Sequence, residues 1–388
     1  MPAEILANEQ YIFSGTKKLR CGFTTGTCAA LASQAAVQAL LSGAVPDTVS
    51  LRTPKGWVAK TAVLAEGNLV PLVHGGMQFR CGVQKDAGDD PDVTDGCHVF
   101  ATAKLFPADG AGTDEGDVSV TIDGGIGVGR VTKAGLDQPI GSAAINRVPR
   151  QMMSDAVRET CETYGFTGAV HITIDIPEGE RLARNTFNPQ LGIVGGISVI
   201  GTSGVVEPMS EQALVDALET EIRVIAAACK TKKDRPLIIT PGNYGKDFAA
   251  RYPEWNDIPQ LRCANFIGVA LDLAAAYGFT RVILVGHAGK FVKLAGGIMN
   301  THSRVADCRM ALVCAHAALC GASKEICARI MDCATVDAAL LVLDEKGLTD
   351  AVMRSLSHAA REHVAHRVNG AYPFTMVMFT NERGLLPS

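Results

Sequence analysis

Between residues 28 and 41 the chain is Ala-rich, with Leu31, Ala35, Leu40 and Leu41 at helical spacing and Gly43 placed to end the run. From 48 to 131 the rhythm shortens to that of strands. VSLRT and WVAKTAVLA flank Pro54-Lys55-Gly56 and predict a hairpin. MQFRCGV, HVFATAKLF, DVSVTI and VGRVT predict further short strands, separated by loops rich in Gly and Asp. A helix over 149–164 and the strand AVHITIDI complete this half. Strands with their helices gathered on one face predict a two-layer α+β domain.

From about residue 191 strand and helix alternate. ISVIG precedes a helix from Ser210 to about Cys229, with Ser210 as N-cap. PLIIT precedes a helix over 265–277 that Gly278 ends; RVILVG, helices to His366 and the strand FTMVMFT follow. The uninterrupted apolar runs 237–239 and 282–285 suit parallel strands covered on both faces. With right-handed crossovers they predict a Rossmann-like three-layer domain with a mainly parallel sheet. The change of rhythm near 185–192 divides the chain into domains 1–190 and 191–388.

Composition narrows the function. With 388 residues and 47% hydrophobic content, the chain can bury two sizeable cores. Its 36 Lys+Arg against 40 Asp+Glu leave a charge of −4, without the basic excess of a nucleic-acid binder. The 12 cysteines include no CxxC pair, and those at 308, 314, 320, 327 and 333 scatter around a helix, so reduced thiols are expected and no protein-bound metal. MPAEILANEQ lacks the pattern of a signal peptide, and no apolar run approaches the ~20 residues of a membrane span. A soluble, cytoplasmic protein without nucleic-acid or membrane partners is expected; self-association stays open.

The glycines gather where chemistry would sit. Gly201-Thr202-Ser203-Gly204, Pro241-Gly242-Asn243-Tyr244-Gly245 and Gly286-His287-Ala288-Gly289-Lys290 each follow a predicted strand. Open parallel sheets bind ligands at such strand ends. Any one loop is as readily a tight turn; three in succession favour a shared site. The spacing of a P-loop is missing, as is a G-x-G-x-x-G opening a helix, so the phosphotransferase and dehydrogenase readings lose their sharpest marks, while a nucleoside ligand without phosphates remains compatible with this edge. Two further groups stand out. Residues 85–96 hold five carboxylates (Asp86, Asp89, Asp90, Asp92, Asp95), which suit a cation, a raised-pKa acid or a plain solvated loop. Lys290 and Lys293, with His287, His302 and Arg304, form a basic patch suited to a polyanion, or else a solvated helix face.

Seven stretches in order carry a resemblance: LRCGFTTGTCAA (19–30), KDAGDDPDVTDG (85–96), GRVTKAGL (129–136), AINRVPRQM (144–152), GGISVIGTSGVVEPMS (195–210), NFIGVAL (265–271) and VGHAGKFVKLAGGIMNTHSRVAD (285–307). Together they resemble the CbiD family, the cobalt-precorrin-5B methyltransferases of anaerobic cobalamin biosynthesis. The resemblance implies transfer of a methyl group from S-adenosylmethionine to carbon 1 of a cobalt-corrinoid substrate. On that basis the donor is expected at Gly195, Gly196, Ser198, Gly201, Thr202 and Gly204. Substrate carboxylates are expected at His287, Lys290, Lys293, Asn300 and His302, with Thr24 and Thr25 closing the cleft. Asp89, Asp90, His287 and His302 are the catalytic candidates; the resemblance supplies no established catalytic residue. Ser142, Ala143 and Arg147 depart from the family pattern, which has a Glu and two prolines there. Two other readings remain: a non-catalytic tetrapyrrole carrier of the same pathway, and a metal-dependent hydrolase using the acidic loop.

Overall fold

The computed structural model describes residues 10–72, 76–107, 118–229, 231 and 233–387. Two compact units divide between Ser210 and Glu211. No helix among the described residues is long and apolar enough to cross a membrane.

In the first unit a five-stranded sheet runs in the order Leu64–Pro71, Met77–Gln84, His98–Pro107, Gly168–Asp175, Val118–Gly124. All neighbours are antiparallel except the last pair. The helix Thr25–Ser42 packs on the strands Met77–Gln84 and His98–Pro107 and against the helix Arg147–Thr163. Ala29, Ala30, Ala32, Ala35 and Ala36 are fully buried, so their small side chains let the layers approach closely. Thr24 caps this helix by accepting the Thr27 N–H, and Gly43 closes it with a left-handed φ of 74°. The expected hairpin is present as Thr48–Arg52 against Val58–Ala62. VGRVT forms two two-residue strands instead of one, because Gly127–Val128 and Arg130–Val131 take different partners.

Residues 191–210 depart from the expected layout. Gly196–Ile197 pairs in parallel with Gly127–Val128, Ile193–Val194 pairs with Arg130–Val131, and Val205–Val206 pairs with Gly22–Phe23. The segment read as the first strand of the second domain therefore belongs to the first unit. The boundary lies at 210, not near 190.

The second unit carries a sheet in the order Gln260–Arg262, Pro236–Thr240, Arg281–His287, Phe374–Thr380, Gly384–Leu385. The first four strands are parallel and the last is antiparallel. Alternation sorts its side chains onto two faces. Leu237, Ile239, Val282, Leu284, Met376 and Met378 join the larger core, with the helices Glu211–Ala228, Ile267–Ala276 and Thr349–Val368. Ile238, Ile283, Val285, Val377 and Phe379 join a smaller one with Phe248 and Ala249 of the helix Asn243–Ala249. Both faces are thus covered, which explains why these strands read as unbroken apolar runs. Each fully buried residue such as Ile239 contributes about 1.5–3 kcal/mol.

Candidate functional site

In the first unit the residues expected to hold the donor and those expected to close the cleft meet, because both lie within 1–210. Thr24 N–H and Thr27 Oγ1 donate to the Gly204 carbonyl at 3.2 and 2.6 Å; Gly26 N–H donates to Ile200 O, and Ile200 N–H to Thr25 Oγ1. Gly201 sits at φ 140°, and a Cβ there would fall 2.2 Å from Thr24 Oγ1. A Cβ on Gly196 would fall 2.1 Å from the Gly127 carbonyl oxygen. These glycines are required by neighbouring chain, and Gly204 similarly abuts Thr53. Ser198 donates to Asn188 Oδ1, while Gly195 and Thr202 are exposed.

The acidic loop braces this assembly. Asp86 takes two Arg20 hydrogen bonds and Asp92 takes Lys85 Nζ at 2.8 Å. Asp89 accepts Arg20 N–H, Asp90 accepts Met209 N–H, and Asp95 accepts Ala87 N–H. Burial works to raise Asp92, but the Lys85 charge and the Thr94 donors outweigh it and hold the carboxyl below its ordinary range. Lys85 itself is 2% exposed. Every carboxylate of the loop therefore has a protein donor, and the two tightest pairs fix the chain next to Thr24. No group of three metal-ligating side chains occurs among the described residues.

Two of the three glycine loops, not three, leave the parallel sheet of the second unit. After Thr240 the chain turns at Gly242 (φ 105°), where a side chain would meet open space, into Asn243 and an exposed Tyr244. After Arg281–His287, His287 Nδ1 accepts the Gly289 N–H at 3.1 Å, which puts the proton of the neutral ring on Nε2. The ring lies 6.3 Å from Tyr244 and 5.6 Å from Phe379, centroid to centroid. Lys290 Nζ donates to the Ala264 carbonyl at 3.1 Å; burial, with Lys293 nearby, lowers its pKa, while Cys263 acts the other way. Burial pushes the Cys263 thiol up to about 12.

The two lysines separate here. Lys293 is 3% exposed, and its Nζ donates to the carbonyls of Thr301 and Ala306 at 3.0 and 2.7 Å. It ties down the 300–306 loop, so the shared face expected from i,i+3 spacing does not form. Asn300 Oδ1 accepts the His302 N–H, and His302 Nδ1 accepts the Arg304 N–H, both at 3.1 Å.

Sequence reasoning passed over a cavity of about 340 Å³ in this unit. Val215, Phe266, Val269 and Met299 give it an apolar wall, and Glu211, Gln212, Asn300 and Arg367 its polar groups. Phe266 pairs with Asn300 in an isolated bridge directly beyond the strand Gln260–Arg262, which sets the cavity beside the carboxyl edge of the sheet. The signal was present in NFIGVAL, a motif to which no role was attached. Glu221, whose carboxyl is raised by burial against the pull of Arg262, gave no signal at all.

These features define a mixed α/β protein with an open, largely apolar hollow beside the edge of a sheet. Residues 13–208 match the CbiD family model, and residues 300–388 match the CbiD C-terminal domain. The cobalt-precorrin-5B C(1)-methyltransferase of Ruminiclostridium cellulolyticum is 43% identical over 373 residues, covering 96% of this chain and 92% of that one. Its counterpart from Alkaliphilus metalliredigens is 40% identical over 378 residues, covering 97% and 94%. A 1.9 Å crystal structure of the cobalamin biosynthesis protein CbiD from Archaeoglobus fulgidus is 26% identical with a TM-score of 0.40, covering 76% of this chain and 86% of that one. The chain belongs to the CbiD family.

Proposed function

We propose that this chain is a cytoplasmic S-adenosylmethionine-dependent C-methyltransferase that methylates carbon 1 of cobalt-precorrin-5B. The observation that carries the reading is the similarity to curated relatives of that name across nearly the whole of both chains. We further read the second unit as a Rossmann-like three-layer domain, its sheet supplying the binding edge.

The donor supplies an electrophilic methyl group on a sulfonium. The new bond forms between that methyl carbon and carbon 1 of the electron-rich ring, while the S–C bond breaks and leaves a neutral thioether. The positive charge passes to the ring system, which sheds a proton. Such a displacement asks the protein for alignment and exclusion of water more than for a nucleophilic side chain. In this reading Lys290 and the Nε2–H of His287 receive acetate and propionate arms, with His302 alongside. Lys290 suits that role because its ammonium has one carbonyl partner and two N–H donors to spare. Lys293 acts at one remove, by holding the loop that carries Asn300 and His302. Thr24 and Thr25 shape the first unit's contribution.

The test is incubation of the purified protein with cobalt-precorrin-5B and methyl-labelled S-adenosylmethionine. Label retained in a corrinoid heavier by one CH₂ supports the assignment. Corrinoid binding without any transfer would leave the carrier reading standing instead.

A further inference from the structure

We infer that the cavity beside Phe266 and Asn300 seats the adenosyl and sulfonium portion of the methyl donor; this rests on the methyltransferase reading above. Charge decides between the two ligands. Arg367 is the cation on the cavity wall, and its guanidinium is engaged: Nε and Nη2 reach the Asp272 carboxylate at 2.9 and 2.5 Å, and Nε also reaches Gly268 O. Glu211 faces the same space and has no ion pair among the described residues. With Arg367 paired to Asp272 beside the cavity, the Glu211 carboxylate is the unpaired charge on the lining among the described residues. A macrocycle bearing many carboxylates is repelled there, whereas a sulfonium cation is attracted.

Size and surface agree with the charge. Small-molecule pockets of about 300–1,000 Å³ are mostly apolar with a few fixed polar groups. At about 340 Å³ the hollow has room for an adenosyl group. Phe266, Val269, Met299 and Val215 offer faces for a purine. The Asn300 carbonyl is held by the His302 N–H, which leaves its amide N–H groups as donors to a ring nitrogen. The location also fits: the Phe266–Asn300 bridge follows the strand Gln260–Arg262, at the edge where open parallel sheets take their ligands.

Calorimetric titration of the full chain with S-adenosylmethionine and, separately, S-adenosylhomocysteine tests the placement. Val215→Trp fills the cavity and is expected to abolish binding of both. Glu211→Gln, at an exposed position in the first turn of its helix, should weaken the sulfonium ligand about five-fold and the neutral thioether hardly at all. That asymmetry keeps the test alive if Val215→Trp fails to fold. Native affinity for both ligands in the cavity variants overturns the placement. So does loss of binding in Thr202→Trp alone, which would return the donor to the loop of the first unit. If the native protein binds neither ligand, with or without corrinoid, the methyltransferase reading fails and the location is no longer the issue.

Discussion

Replacing Lys293 by Met removes an ammonium from a site that is 3% exposed while nearly preserving its volume. Two hydrogen bonds from a charged donor disappear, those to Thr301 O and Ala306 O. At about 1.5–3 kcal/mol each, they amount to ~3–6 kcal/mol in gross terms. Part of this returns because a charge no longer has to be buried, so a net loss of about 2–3 kcal/mol is expected. The loss should be local. Opening of the 300–306 loop would become about 30-fold more frequent for 2 kcal/mol, and hydrogen exchange of its amides would speed up to match. Corrinoid affinity should fall modestly, through the mobility of His302. Lys290→Met should do the reverse, with unchanged loop exchange and a larger, salt-sensitive loss of affinity. The assay is peptide-resolved exchange run beside corrinoid titration. Native exchange in Lys293→Met together with abolished binding would refute the division of roles between the two lysines.

Other expectations follow from the first unit and the thiols. Gly201→Ala places a Cβ against Thr24 Oγ1 at an unfavourable φ, and should lower stability by about 2–4 kcal/mol, read as a fall in melting temperature. Asp92 is held below its ordinary value near 3.8, so the Lys85 pair contributes fully above that pH and is lost as pH falls through the folded value. Urea midpoints should therefore drop steeply below about pH 4 in the native protein. Asp92→Asn should be less stable at neutral pH and show a shallower acid drop; an identical slope would show that the pair does not govern acid stability. Cys28, Cys81, Cys97 and Cys263 are pushed by burial up to about 12, so iodoacetamide at pH 8 should label Cys308 and Cys320 well before them. Equal rates at Cys263 and Cys308 would contradict the burial described.

Elements with strong local patterns were readable from the chain. The helix Thr25–Ser42 carries its cap, apolar face and terminal glycine within its own residues, and the hairpin around Pro54-Lys55-Gly56 is equally self-contained. What failed depends on distant partners. Isoleucine and valine in 197–200 look like a parallel core strand of the second domain, yet Gly196 and Ile197 pair in parallel with Gly127 and Val128, and Val199 with Ile145, partners in the first unit that no local rhythm announces. Gly201 reads as a ligand turn because glycine permits close approach, but the atom that approaches belongs to Thr24. Lys290 and Lys293 have helical spacing, but the chain passes from Ala288–Phe291 into the tighter turn Val292–Gly296, which carries Lys293 inward. The cavity was invisible because its wall joins residues near 211, 266, 299 and 367.

The position of Phe374–Thr380 has a consequence for biosynthesis. That strand lies inside the second sheet, with Val282 opposite Phe374 in the register, and four longer helices intervene in the sequence. A ribosome must release all of them before the sheet can close, whereas the first unit has its full complement by residue 210. The emerging polypeptide thus presents a finished half tethered to one in which Arg281–His287 lacks its neighbour on one side until residue 374 has emerged, and that interval is when chaperones would be needed most.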